Sequence, residues 1–310
     1  MNQLQATSYR LPSVHIPVLL KESLDGLQIK KGGTYVDCTT NRAGHSIEIA
    51  KEIGEKGILV CIDLDNEALA QAQEKLDKIT NKPEIHFVHS NFRHLTSILE
   101  NLKIESVDGI LADLGLSSEE LDESGRGFSF RFDEPLKMTF DTEERDDMTT
   151  AYEIINNWGE ESIADILYGF ADETYSHRIA HRIVERRKEK PITTTHELVD
   201  IIGGAVPAAY RHKKTHYATK TFQALRMAVN DEIGSIKELI DAIPKVLKLN
   251  GRACIITFHS TEDRIVKQSL RGKAESLKMV NKKAIVPSEE EEKENPRSRS
   301  AQLRIVEKIC

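Results

Sequence analysis

Between residues 33 and 115 short apolar runs alternate with amphipathic stretches, and this rhythm constrains the chain more than any other feature. The runs "TYVDCTT", "GILVCIDLD", "EIHFVHSNF" and "VDGILADLG" have strand length. Between them stand "HSIEIAKEIG", "NEALAQAQEKLDKI" and "HLTSILENL", whose apolar residues recur at helical spacing: Ile47, Ala50 and Ile53 in the first, Leu69, Ala72 and Leu76 in the second. "GILVCIDLD" is apolar without alternation, the mark of a strand covered on both faces. A β-α-β-α-β-α-β order with such strands predicts a parallel, doubly wound sheet.

The rhythm breaks near residue 119. From there to 213 the patterns are helical: "AYEIINNW", "IADILYGFA", "HRIAHRIVERR" and "TTTHELVDIIGGAV", with Thr195 as the expected cap of the last. One long helix, "ATKTFQALRMAVNDEIGSIKELIDAIPKVLK", leads to a fifth strand, "RACIITFHS". The closing run "QLRIVEKI" alternates and is expected as an edge strand. Residues 287–300 are polar and charged and read as a flexible loop. The fold class expected is α/β, Rossmann-like, with an inserted all-helical domain: residues 1–118, then the insert 119–213, then 214–310.

The chain has 310 residues, and no apolar run approaches the ~20 residues of a membrane span. Its first residues lack the basic, apolar and small-residue regions of a signal peptide. Cys38, Cys61, Cys254 and Cys310 are too far apart in sequence for a metal site and read as reduced thiols, so a cytoplasmic location is expected. A net charge of -7 argues against a general nucleic-acid binder. Local basic runs, "HRIAHRIVERRKEK" and "RHKK", decide more than the total.

In open α/β sheets ligands bind beyond the carboxyl ends of the strands. Polar residues fall at all four: Asp37, Asp63, Asn91 with Phe92, and Asp113. An acid ending strand two suits ribose hydroxyls, and Phe92 suits an adenine face. The first loop, "TTNRAGH", lacks the G-x-G-x-x-G that lets a pyrophosphate approach backbone amides. S-adenosylmethionine has no phosphate, so the missing glycines favour it over a dinucleotide. Asn41 tolerates a left-handed backbone, whereas Ala43 is free of strain only at negative φ.

The segments "HIPVLLKESLDGL", "VDCTTNRAGHS", "ADLGLSSEELDESGRGFSFRFDEPLKM", "TKTFQALRMAVNDEI", "FHSTEDRIVK" and "NPRSRSAQLRI" follow in this order. Over nearly the whole chain they resemble the bacterial methyltransferases that modify the exocyclic N4 amine of a cytosine in the decoding region of small-subunit (16S) ribosomal RNA. The resemblance implies an S-adenosylmethionine-type Rossmann domain with a helical insert. It implies cofactor contacts from Ala43, Gly44, His45, Asp63, Phe92, Asp113 and Glu120, and small-subunit ribosomal RNA or the assembled small subunit as partner. The chain departs from the family pattern at Asn41 and Ala43, where glycines are usual, at Glu120, where glutamine is, and at Thr139, where arginine is.

An exocyclic cytosine amine is a weak nucleophile, so holding it in line with the methyl group supplies much of the rate. No metal is required. Asp113, with Ser117 on the same turn, is the expected proton acceptor; its other reading is to hold the cofactor amine. His259 ends strand five and either meets the base or caps the next helix, where Ser260 also suits an N-cap. For RNA, Arg178, Arg182 and Arg186 recur every four residues, as a phosphate track or a solvated face. Arg226 and Asn230 lie on a second stripe with Thr219 and Gln223. "RGFSFRF" interleaves Arg126 and Arg131 with Phe128, Phe130 and Phe132, as a base-stacking loop or as a loop pinned by its rings. Arg297, Arg299 and Arg304 add charge late in the chain. Two other readings stay open: a non-catalytic RNA-binding assembly factor of the same fold, and an amine methyltransferase of another nucleic acid.

Overall fold

The protein is described from a computed structural model, which covers residues 16–115, 124–142 and 148–310. Seven strands form one sheet: β1 (Thr34–Asp37), β2 (Ile58–Asp63), β3 (Glu84–His89), β4 (Val107–Asp113), β5 (Leu247–Thr257), β6 (Leu277–Met279) and β7 (Gln302–Lys308). Their order is β3-β2-β1-β4-β5-β7-β6. The first five pair in parallel, and β7 runs antiparallel to both its neighbours. The order reverses between β1 and β4, which places a crevice above their carboxyl ends.

Side-chain alternation explains the two cores. Val36, Val60, Ile110 and Ile255 point to one face, under α4 (Leu95–Asn101), α11 (Glu232–Val246) and α12 (Ser260–Arg271). Tyr35, Leu59, Leu111 and Cys254 point to the other, under α1 (Leu20–Leu27), α2 (Gly44–Ile53) and α3 (Asn66–Leu76). Both faces of the central strands are covered, as their apolar runs require, while β3 at the edge is only half-buried.

A third core is built by helices: α5 (Ala151–Asn157), α6 (Glu160–Ala171), α7 (Ser176–Arg187), α8 (Thr195–Ala205), the short α9 (Ala208–Arg211) and α10 (Thr219–Val229). Their apolar faces, Ile154, Ile163, Leu167, Ile179, Ile183, Leu198, Ile202, Phe222 and Leu225 among them, pack together apart from the sheet. The chain enters this layer after β4 and leaves it after α10, with α11 already packed on the sheet before β5.

Four expectations are corrected. The closing strand β7 is not at the edge: it lies between β5 and β6, and the three-residue β6 is the edge. The long helix is two helices, broken where Asp231 turns left-handed (φ 43°) and caps α11 by accepting from the amide of Gly234. Residues 287–300 are not a loop throughout: α13 (Glu289–Glu294) starts on a Ser288 cap, and Glu291 Oε1 accepts from the amide of Leu19 at 2.7 Å. The cap of α8 is Thr194, one residue before the expected Thr195.

Candidate active site

Four strand ends meet at the crevice, and backbone chemistry locks them together. After β1, the amide of Cys38 donates to Leu111 O in β4, and the amide of Thr40 donates to Ile62 O in β2. The hydroxyl of Thr39 accepts from the amide of Asp113 at 2.7 Å. Asp37, 1% exposed, accepts from Ser46 Oγ at 2.5 Å and from the amide of Thr39. Burial pushes its carboxyl up to about 6 against those two donors.

The loop carries strain that the sequence reading did not place. Asn41 is left-handed (φ 47°) as expected, but so is Ala43 (φ 65°), which is fully buried. Ala43 is thus not strain-free: its backbone lies in the left-handed region, where a Cβ crowds the following carbonyl and an alanine has no polar side chain to compensate. What holds it is the surrounding bonding. The amide of Ala43 donates to Thr40 O, and Asn41 donates to Asp63 Oδ2 at 2.6 Å. Gly44 begins α2 directly behind it.

Asp63 ends β2 half-buried and accepts on both oxygens, from the amides of Asn41 and Asp65. An ionised carboxylate can accept about four hydrogen bonds. Phe92 opens a short 3-10 turn after β3, its ring partly buried on the sheet core. His45 is buried, with Nε2 3.0 Å from Val18 O and Nδ1 3.9 Å from Asp113 Oδ2. Ser117 and Glu120 lie outside the described residues.

Asp113 ends β4. Burial, then the negative charges of Asp37 and Glu262, push its carboxyl up to about 7, although the Gly115 amide donates to it. Gly115 follows because nothing larger fits: a Cβ there would stand 2.5 Å from the ring of Phe258. His259 caps α12, its Nδ1 accepting from the amide of Glu262 at 3.3 Å, so it takes the cap position that Ser260 could have filled. Its Nε2 lies 2.7 Å from Glu262 Oε1.

The residues expected at RNA divide. Arg131, Arg178, Arg182, Arg186, Arg297 and Arg299 are exposed, with the three on α7 opposite the buried Ile179 and Ile183. Arg186 pairs with Glu189, and Arg178 stacks on Tyr175. The other four face inward. Phe128 is 6% exposed and stacks on Phe140; of the three rings in its loop, Phe132 is the exposed one. Arg126 donates to the carbonyls of Thr139 and Phe140 and to Asp65, so it ties the insert to the start of α3. The turn between Arg126 and Phe128 needs Gly127, whose φ is +77°. Arg226 forms a bidentate pair with Glu232 at 2.6 and 2.8 Å. Asn230 bonds to the backbone of Met138, Phe140 and Arg226. These four side chains are engaged in the protein's own structure, as is Arg304, buried and bidentate on Asp263 at 2.6 and 2.8 Å.

Thr39, Ser46 and Glu262 were not singled out from the sequence. The signal for Glu262 was present as a Glu three residues after a capping position, the spacing of a capping box.

Strand-end acids around a cradle with no pyrophosphate fingerprint suit S-adenosylmethionine better than a dinucleotide. The chain belongs to the MraW methylase family, whose pattern matches residues 12–309. A ribosomal RNA small subunit methyltransferase H from Brevibacillus brevis is 45% identical over 313 residues, covering 95% of this chain and 98% of that protein. One from Acetivibrio thermocellus is 46% identical over 312 residues, covering 95% and 99%. A crystal structure of an rRNA methylase from Streptococcus thermophilus aligns at 11% identity and TM-score 0.44, covering 96% of this chain and 100% of that one.

Proposed function

We propose that this protein transfers a methyl group from S-adenosylmethionine to the exocyclic N4 amine of a cytosine in the decoding region of small-subunit ribosomal RNA. The observation that carries this reading is Asp113: a carboxylate at the end of β4, pushed up to about 7, beside a loop with no phosphate cradle. Relatives at 45–46% identity that carry a ribosomal RNA small subunit methyltransferase name support the substrate class.

The residues present fit the cofactor. Asp63 offers acceptors for ribose hydroxyls, Phe92 a ring for the adenine, and the Asn41–His45 turn a close backbone passage for the methionine part. S-adenosylmethionine, when bound, would supply an electrophilic methyl on sulfur and leave as the neutral thioether S-adenosylhomocysteine once the carbon–sulfur bond breaks. The protein's own work is to hold the amine and take its proton. As the amine nitrogen gains its carbon, the Asp113 carboxylate accepts one N–H proton; a group pushed up to about 7 is both ionised often enough and basic enough to do so near neutrality. His259, at the adjoining strand end, borders the base. The exposed arginines of α7, with Arg131, Arg297 and Arg299, meet phosphates, and the exposed Phe132 stacks on a base. This substrate implies a cytoplasmic location; among the described residues no helix is long and apolar enough to cross a membrane.

Incubation of the purified protein with labelled S-adenosylmethionine and small subunits, followed by nuclease digestion and nucleoside chromatography, tests the proposal. Label in N4-methylcytidine is the expected result. Label in another nucleoside, or transfer to DNA alone, contradicts it. Donor binding with no transfer to any nucleic acid would favour the non-catalytic assembly factor.

A further inference from the structure

Behind the active site two buried carboxylates, Glu232 and Glu262, meet a partly buried arginine and histidine. Glu232 opens α11, Glu262 lies in the first turn of α12, His259 caps that helix and Arg226 comes from α10 of the helical layer. Atoms of Glu232, His259 and Glu262 lie within 4.8 Å of one another, a spacing a cation could use. The Arg226 guanidinium already bridges the two carboxylates, with Nη2 2.8 Å from Glu232 and 3.4 Å from Glu262, and takes that place.

Glu262 is 1% exposed and holds three elements at once. Its Oε2 accepts from the amide of Phe258 at 2.8 Å. Its Oε1 faces both His259 and Arg226. The ring of Phe258 in turn fills the space above Gly115, two residues beyond Asp113. The helical layer, the end of β5 and the turn that carries the proton acceptor are therefore joined through one carboxylate.

We propose that Glu262 is a positioning residue for methyl transfer, held by Arg226, which sets Phe258 and His259 against the Asp113 turn and ties that setting to the helical layer. The inference rests on the function proposed above. Burial works to raise the Glu262 carboxyl, yet His259 and Arg226 outweigh it and hold the group below the usual carboxylate range. Glu262 stays charged, and its charge acts on Asp113. The other groups facing Asp113 are Asp37 from β1 and His45 from α2, with the amide of Gly115.

Glu262→Gln keeps an oxygen for the Phe258 amide but removes the charge. In this variant, donor affinity by calorimetry should stay within about threefold, since the change lies outside the cofactor strand ends. Turnover on small subunits should fall about a hundredfold, the scale of a displacement of roughly 1 Å in an active site. Carbon-13 titration of Asp113 in the free protein should show its midpoint, near 7 in the native chain, move down in the variant. A folded variant with native turnover and an unmoved midpoint overturns the proposal. The titration needs no activity, so it judges the inference even if the native protein proves inert toward RNA, a result that would count against the function alone. If Glu262→Gln does not fold, Arg226→Lys carries the test. Lysine cannot span both carboxylates, and a fall in kcat of about tenfold or more with KM unchanged is expected; native kcat overturns the proposal.

Discussion

The amide of Asn41 and the carboxylate of Asp63 are joined by a 2.6 Å hydrogen bond, so the acid expected to face the ribose also holds the turn expected to face the methionine part. Removing it should act twice. Charge-assisted hydrogen bonds contribute about 1.5–3 kcal/mol each, so Asp63→Ala should weaken donor binding tenfold or more. Asp63→Asn keeps one oxygen for the Asn41 amide and should lose less. Calorimetric titration of both variants checks this, and equal, native affinities would remove Asp63 from the site.

Ala43 allows a prediction by magnitude. Replacement by glycine relieves a left-handed cost of about 1–2 kcal/mol. It adds about 0.4–1 kcal/mol of unfolded-state entropy and gives up a buried methyl of about 0.8 kcal/mol. These terms cancel to within about 1 kcal/mol, so thermal melting should show little change. Donor affinity should move by less than tenfold. A gain well beyond tenfold would mean that the native loop is impaired as a donor cradle.

The raised carboxyls give a pH dependence of unusual sign. A folded-state pKa above the unfolded value means that the native protein holds protons which the unfolded chain has released. Asp113, pushed to about 7, and Asp37, pushed to about 6, therefore lower stability as pH rises from about 4 to 7. The cofactor-free protein should melt higher at pH 5.5 than at 7.5, and Asp113→Asn should flatten that difference. Methyl transfer should follow the opposite course, rising through an acid limb near 7 as Asp113 ionises. A flat rate profile between pH 5.5 and 8 would remove Asp113 as the proton acceptor.

The arginines of α7 separate two classes of variant. Charge reversal at Arg178 and Arg182 should weaken RNA binding and flatten its salt dependence by about one unit per lost phosphate contact, with donor affinity unchanged. Arg186, already paired with Glu189, should contribute less. Arg226→Ala should behave differently, because it strands two buried carboxylates; losing one partner of a buried pair costs about 3–5 kcal/mol. Salt-dependent binding and thermal melts on the same variants tell the two apart.

The parallel part of the sheet was legible because each strand is a continuous apolar run ended by a polar residue, and those ends form the site. What was hidden depends on partners far along the chain. Strand β6 has three residues, too few to show a period, so β7 looked like an edge. The acidic run 289–294 has no apolar face, and its helix is anchored by a bond from Glu291 to Leu19, 272 positions away. Arg226 reads as a surface residue beside Gln223 until Glu232 and Glu262 close over it. Phe128 and Phe132 are alike in sequence, and only the fold decides that the first is core and the second exposed.

The most direct measurement is mass spectrometry of small-subunit ribosomal RNA from a strain lacking this gene, complemented with the native protein or with Asp113→Asn. The account predicts that one methyl group disappears from the N4 amine of a decoding-region cytosine in the deletion, returns with the native protein and stays absent with Asp113→Asn. A full methyl complement in the deletion strain, or its restoration by a folded Asp113→Asn protein, would contradict it.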